Sequence, residues 1–227
     1  WIFLSPLLLM AIYSVIYLMV FRVRPMEMTS GTYVLYIFTG LIPFLGFSAA
    51  LIGGTTSLSV NKELLLNTVF PAELVPFRAV LTGMVPTVAG LLIVSFLAMF
   101  LGHLNIMMLG IPFILMLLIM FVSGLVWILS LMNMVMRDIQ FILTFVTMAL
   151  LIVSPIAYTE SMVPESLKLV IYFNPLSYYI MALHDVVVFG RIPSKAILIG
   201  VAGFGFLSFS LGFFVFQKAK KVFFDYV

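Results

Sequence analysis

Asn61-Lys-Glu-Leu-Leu-Leu-Asn-Thr-Val-Phe-Pro-Ala-Glu-Leu-Val-Pro-Phe-Arg78 is the main break between two long uncharged runs. Its charges, Lys62, Glu63, Glu73 and Arg78, hold it in water. On a helical wheel Leu65, Leu66, Val69 and Phe70 share one side, and Asn61, Glu63, Asn67 and Thr68 the other. The pattern predicts a short amphipathic helix. Pro71 and Pro76 lack the amide donor that a helix interior needs, so the helix ends near Phe70 and the chain turns back. A helix of this kind between two apolar runs either lies on a lipid surface or fits a groove on a partner.

The rest of the chain decides what the apolar runs are. Of its 227 residues 64% are hydrophobic and only 8% charged, against roughly 25% charged in a soluble domain. The mean hydropathy is +1.30. The chain reads as an integral membrane protein. Its net charge of +3 and pI near 9.2 then describe flanks of membrane spans and not a nucleic-acid surface. There is no cysteine, hence no disulfide framework and no thiolate chemistry.

Working outward, the runs predict an all-α membrane domain with six transmembrane helices, at about 1–21, 33–57, 79–101, 107–135, 139–159 and 196–216. Residues 1–21 carry no basic leader and no small-residue cleavage site, so they read as a span and not as a signal peptide. The start at Trp1 implies a preceding segment. Gly40, Pro43, Gly46, Gly53 and Gly54 predict kinks or a break in the second span. Between Glu160 and Lys195 the apolar pieces are too short to cross a bilayer and predict two short re-entrant or interfacial helices, near 164–173 and 176–189, separated at Asn174-Pro175. An even number of spans puts both termini on one side. A cytoplasmic placement leaves Lys62, Arg78, Arg137, Lys218, Lys220 and Lys221 inside against Arg22, Arg24, Lys168, Arg191 and Lys195 outside, which favours it narrowly.

The spans are as informative in what they lack. No Asp, Glu, Lys, Arg or His lies within their cores, which disfavours an ion-coupled transporter, since such proteins hold protons or ions on mid-membrane charges. Gly53-Gly-Thr-Thr-Ser57 lacks the Lys-Ser/Thr ending of a phosphate loop. His103 and His184 are not spaced as metal ligands, and each reads more readily as an interfacial polar residue. The residues hold no nucleophile motif, so the expectation is no catalytic residue, no metal and no cofactor on this chain.

Two stripes suggest a conduit. At 100° per residue Gln140, Thr144, Thr147, Ser154 and Tyr158 fall within an arc of about 80° on the fifth span. Pro6, Met10, Tyr13, Tyr17 and Phe21 form a similar stripe on the first. Ring faces and hydroxyls together suit a hydroxylated polymer, although Ser and Thr also bond across helices and tyrosines also anchor at interfaces.

Several local patterns resemble type-2 ABC exporter permeases for lipid-linked polysaccharides, the O-antigen, capsule and teichoic acid transporters. They are Gly40-Leu-Ile-Pro-Phe44, Asn61-Lys-Glu-Leu-Leu65 with Phe70-Pro-Ala-Glu73, Arg137-Asp138-Ile139, Ser154-Pro-Ile-Ala-Tyr-Thr159 and Asn174-Pro-Leu-Ser-Tyr178. The resemblance implies a multi-pass subunit of the bacterial cytoplasmic membrane that pairs with a second copy of itself and with two ATP-binding cassette subunits, which carry the ATP and Mg. It implies that the helix holding Asn61, Lys62, Glu63, Leu65, Leu66 and Phe70 couples to those subunits. It further implies that the first and fifth spans line the conduit, and that the two short helices around Asn174, Pro175 and Tyr178 are extracytoplasmic gate helices. A drug or small-lipid exporter of the same superfamily is the alternative, and a secondary transporter or channel without an ATPase is a further one.

Overall fold

The structure is a computed structural model that describes residues 4–16, 28–67 and 71–225. Helix follows helix: α1 (Leu4–Val15), α2 (Ser30–Val60), α3 (Lys62–Asn67), α4 (Leu74–Phe100), α5 (Ile111–Val135), α6 (Ile139–Val153), α7 (Glu165–Phe173), α8 (Pro175–Val187) and α9 (Lys195–Asp225). Short 3-10 turns, Ile106–Gly110 and Glu160–Met162, precede α5 and α7. The chain divides into two compact units. The first comprises Trp1–Gly46, Val85–Leu115 and Leu150–Val201, the second Phe47–Met84, Met116–Ala149 and Ala202–Val227.

Among the described residues four helical stretches are long and apolar enough to cross a membrane: Ser30–Val60, Leu74–Phe100, Ile106–Val135 and Lys195–Lys220. The expected second span is longer than anticipated, and α2 runs through Pro43 without the anticipated break. The expected fifth span is shorter. At 15 residues α6 reaches about 22 Å, less than the roughly 30 Å of a hydrocarbon core. Pro155 explains the stop, because it donates no hydrogen bond and forces Ser154 away from helical angles.

In the first unit the irregular segment after α6 has its backbone oxygens satisfied by phenols. Tyr33 donates to the Ala157 carbonyl at 2.8 Å, Tyr36 to that of Tyr158 at 3.0 Å, and Tyr158 to that of Val153. Without such partners, each buried carbonyl costs several kcal/mol in an apolar medium. Gly102, with φ +75°, closes α4, and the His103 amide returns to the Ala98 carbonyl at 2.8 Å.

In the second unit Trp127 is the hub. It stacks on Phe77 and meets Phe209 and Phe213 edge-on, within a core of Leu58, Ala72, Val75, Leu131 and Phe216. Gly124 permits close approach of α5 and α9, since a Cβ there would stand 2.0 Å from the Ser208 carbonyl oxygen.

Candidate functional site

Described residues of the first unit line two cavities. One, of about 350 Å³, is lined by Tyr13 of α1 together with Ile37, Leu41, Leu151, Ile152, Ser154, Ile156, Ala157 and Tyr158. Tyr13 belongs to the stripe on the first apolar segment and Ser154 and Tyr158 to the other, and the fold brings the three to one space. Tyr17 and Phe21, and the side chains of Pro6 and Met10, lie outside the described residues.

The other cavity, of about 600 Å³, is lined by Tyr36, Thr159, Glu160, Ser161, Lys168, His184, Asp185, Phe189, Arg191 and neighbouring apolar residues. His184 is buried within the protein: it is 2% exposed and stacks on the Tyr36 ring. Its Nε2 lies 2.9 Å from the Tyr36 carbonyl oxygen, an acceptor only, so the proton sits on Nε2 and Nδ1 is a lone-pair acceptor with no hydrogen-bond partner among the described residues. Burial pushes the imidazole down to about 3, against an opposing pull from that carbonyl. Burial also raises the Asp185 carboxyl, partly offset by Arg191, whose Nη2 and Nε both lie 2.6 Å from Oδ1. Tyr172 donates to Glu160, which holds its phenol up at about 12. In sequence the lining groups are spread from Tyr36 to Arg191, and only packing brings them together.

Asn174 builds the corner between α7 and α8. Its Oδ1 accepts from the Leu176 amide at 3.0 Å as the N-cap of α8, while its Nδ2 donates to Ser154 Oγ at 2.9 Å. Pro175 occupies the first turn, where its missing amide costs nothing. Tyr178 donates to the Tyr172 carbonyl at 3.0 Å.

The second unit places the water-facing stretch. α3 spans six residues, with Lys62 and Glu63 exposed and Glu63 in the first turn, where it suits the helix dipole. Leu65 packs on the Trp127 core, and Asn61 turns the chain by donating to the Ser57 carbonyl at 2.8 Å. Phe70 and the side chain of Leu66 lie outside the described residues. The loop is fixed from behind: Trp127 Nε1 donates to the Glu73 carbonyl at 3.0 Å, and the Glu73 carboxylate accepts from Gln217 at 3.0 Å and from Lys220 at 3.0 and 3.2 Å. Burial raises that carboxyl, but the bonds from its own backbone, Lys220 and Gln217 outweigh it and leave it below the usual range.

The hydroxyl stripe expected on one helix divides. Gln140, Thr144 and Thr147 sit on α6 within the second unit, whereas Ser154 and Tyr158 lie past its end in the first. Thr144 is exposed and bonds back to the Gln140 carbonyl at 3.0 Å. Thr147 is buried and bonds to that of Thr144 at 2.9 Å. The 100° spacing of a helix holds up to Val153 and fails beyond it, where Pro155 ends α6. Among the described residues no group of three or more His, Asp or Glu is placed to hold a metal.

A profile of the ABC-2 type transporter family matches residues 1–188. The chain belongs to this family. It is therefore a membrane subunit of a transporter that works with an ATP-binding subunit. It is similar to two O-antigen export system permease proteins RfbA from Klebsiella pneumoniae, at 28% and 27% identity, each over 97% of this chain and 83% of the relative. A permease of the same name from Myxococcus xanthus is 30% identical over 45% of the chain and 38% of its own length. Among the short motifs, Phe70-Pro-Ala-Glu73 acquires a physical role: Glu73 ties the loop after α3 to the last turns of α9. The sequence offers no sign of that tie, since Lys220 lies 147 residues away.

Proposed function

We propose that the chain is the permease subunit of an ATP-driven exporter that moves a lipid-linked polysaccharide of the O-antigen class across the bacterial cytoplasmic membrane. The observation that carries this is the similarity to O-antigen export permeases over 97% of the chain. The chain acts as a homodimer with two ATP-binding cassette subunits, and ATP and Mg bind there and not here. α3 transmits their motion. The first and fifth apolar segments line the polymer path, and α7 and α8 gate its extracytoplasmic end, with both termini in the cytoplasm.

Two features support this reading. Tyr13, Ser154 and Tyr158 line one cavity and combine aromatic faces with hydroxyls, as passage of a sugar polymer requires. Asn174 links the α7–α8 corner to the segment after α6, so movement of that corner reaches the same cavity. In cells lacking the chain, lipid-linked polymer should accumulate on the cytoplasmic side and disappear from the surface, and return of the chain should reverse both. Surface polymer at normal level without the chain would refute the proposal.

A further inference from the structure

We propose that the cavity where α2 and α5 end is an anion site that takes a phosphate group, and that its natural occupant is the phosphate of a lipid headgroup. The cavity, of about 500 Å³, is lined by Lys62, Arg137, Gln140, Asn133, Ser59 and Thr56, with Val60 and Met134 on its wall. No carboxylate lines it, although Glu63 and Asp138 adjoin the two cations in sequence.

Three other cations are matched, Lys168 with Glu165, Arg191 with Asp185 and Lys220 with Glu73, while Arg78, Lys195 and Lys218 are in no ion pair among the described residues. Neither Lys62 nor Arg137 is in an ion pair among the described residues, and both are exposed on one cavity. Two positive charges gathered without a counter-charge repel, and an anion between them removes that cost. Arg137 offers a planar fork and Lys62 a mobile point charge, a combination suited to phosphate oxygens.

Asn133 gives the second, independent sign of a ligand. It is 2% exposed, its Nδ2 lies 3.3 Å from Ser59 Oγ, and its other amide atom, Oδ1, has no partner among the described residues. The two ends of an amide are interchangeable in assignment. With the amide turned, the oxygen accepts the Ser59 hydroxyl and the NH₂ becomes the unpartnered group, a donor for an anion. A buried polar group left in either state costs roughly 1–3 kcal/mol, so an occupant that completes it is favoured.

Position selects a lipid over free phosphate. The cavity lies where the apolar runs of α2 and α5 stop, at Val60 and Val135, and where α6 begins. Val60, Val135 and Met136 are 77%, 69% and 58% exposed. A polar bowl beside exposed apolar side chains fits a molecule with a charged head and a hydrocarbon tail. The inference deepens the export reading and rests on it only for which lipid is carried.

The test uses the full chain purified in neutral detergent and titrated calorimetrically with farnesyl diphosphate, inorganic diphosphate and farnesol. Farnesyl diphosphate should bind most tightly and with strong salt dependence, and the Lys62→Gln/Arg137→Gln variant should weaken it by at least about tenfold. The Lys62→Arg/Arg137→Lys variant, which keeps both charges, should retain most of the affinity and serves as the folding control. Inorganic diphosphate binding as tightly as the farnesyl form, with the same loss in the first variant, would keep the anion site and overturn the lipid as occupant. Farnesyl diphosphate binding equally to wild type and to the charge-free variant would overturn the site. Since transport is not measured, failure here and failure of the export reading are separate results.

Discussion

The imidazole of His184 lies flat against the ring of Tyr36, centroids 3.7 Å apart, and donates its Nε2 proton to the Tyr36 carbonyl oxygen at 2.9 Å. Both contacts come from α2, so one residue of α8 is held by ring and backbone of the same partner. The arrangement needs a neutral imidazole, and burial, which lowers the His184 pKa to about 3, keeps it so. Unfolded, the ring takes a proton below its ordinary value of 6.5. Between those values the unfolded chain binds more protons, so stability rises with pH across that window and is lost on acidification through 6.5. Acidification from pH 7 to pH 5 should cost on the order of 2 kcal/mol from this group alone. In His184→Phe the slope of melting temperature against pH over that interval should flatten. Equal slopes in the two proteins would mean that His184 titrates alike in the folded and unfolded chain.

The Asn174 corner predicts a graded series. Asn174→Ser keeps an N-cap oxygen for α8 but cannot reach Ser154, whereas Asn174→Ala loses both bonds. The alanine variant should be less stable than the serine variant by about 1 kcal/mol, the usual worth of a cap. Thermal unfolding in detergent reads the difference. Equal stability would show that the cap is not what orders α8.

The Glu73–Lys220 tie should be real but modest, because Lys220 is 29% exposed and water competes for it. A double-mutant cycle of Glu73→Gln and Lys220→Met should give a coupling of about 1 kcal/mol. A coupling indistinguishable from zero would reduce the tie to a passing surface contact.

α3 offers a functional prediction. Leu65→Pro should melt this six-residue helix, at a cost of about 3 kcal/mol. Leu65→Ala removes the contact with the Trp127 core while keeping the helix. If α3 transmits motion, the proline variant should abolish export and the alanine variant should reduce it far less, with each still inserted in the membrane. Normal export by Leu65→Pro would remove α3 from the coupling path.

These residues also mark what was legible in the sequence. Uncharged runs gave the apolar helices, and the charges and prolines of 61–78 located α3, because both signals are local. Asn174-Pro175 likewise marked the start of α8, since a cap and a first-turn proline act within one turn. The early end of α6 was written in Pro155, but a hydroxyl period continued beyond it and concealed the stop. The partners of His184 and of Glu73 were out of reach, because each is set by packing between segments 148 and 147 residues apart. A polar residue with such a distant partner looks, in one dimension, like any exposed one.

Under the proposed function this chain carries a lipid-linked polysaccharide across the membrane when its ATP-binding partner turns over. The most direct measurement places the purified chain and that partner in liposomes loaded on one leaflet with lipid-linked O-polysaccharide, and follows lectin access from the opposite side. Access should grow with ATP, and it should be absent without ATP, without the chain, or with a partner that cannot hydrolyse. Access that is independent of ATP, or no access at all in the complete system while a small amphipathic lipid is moved, would contradict polysaccharide export by this chain.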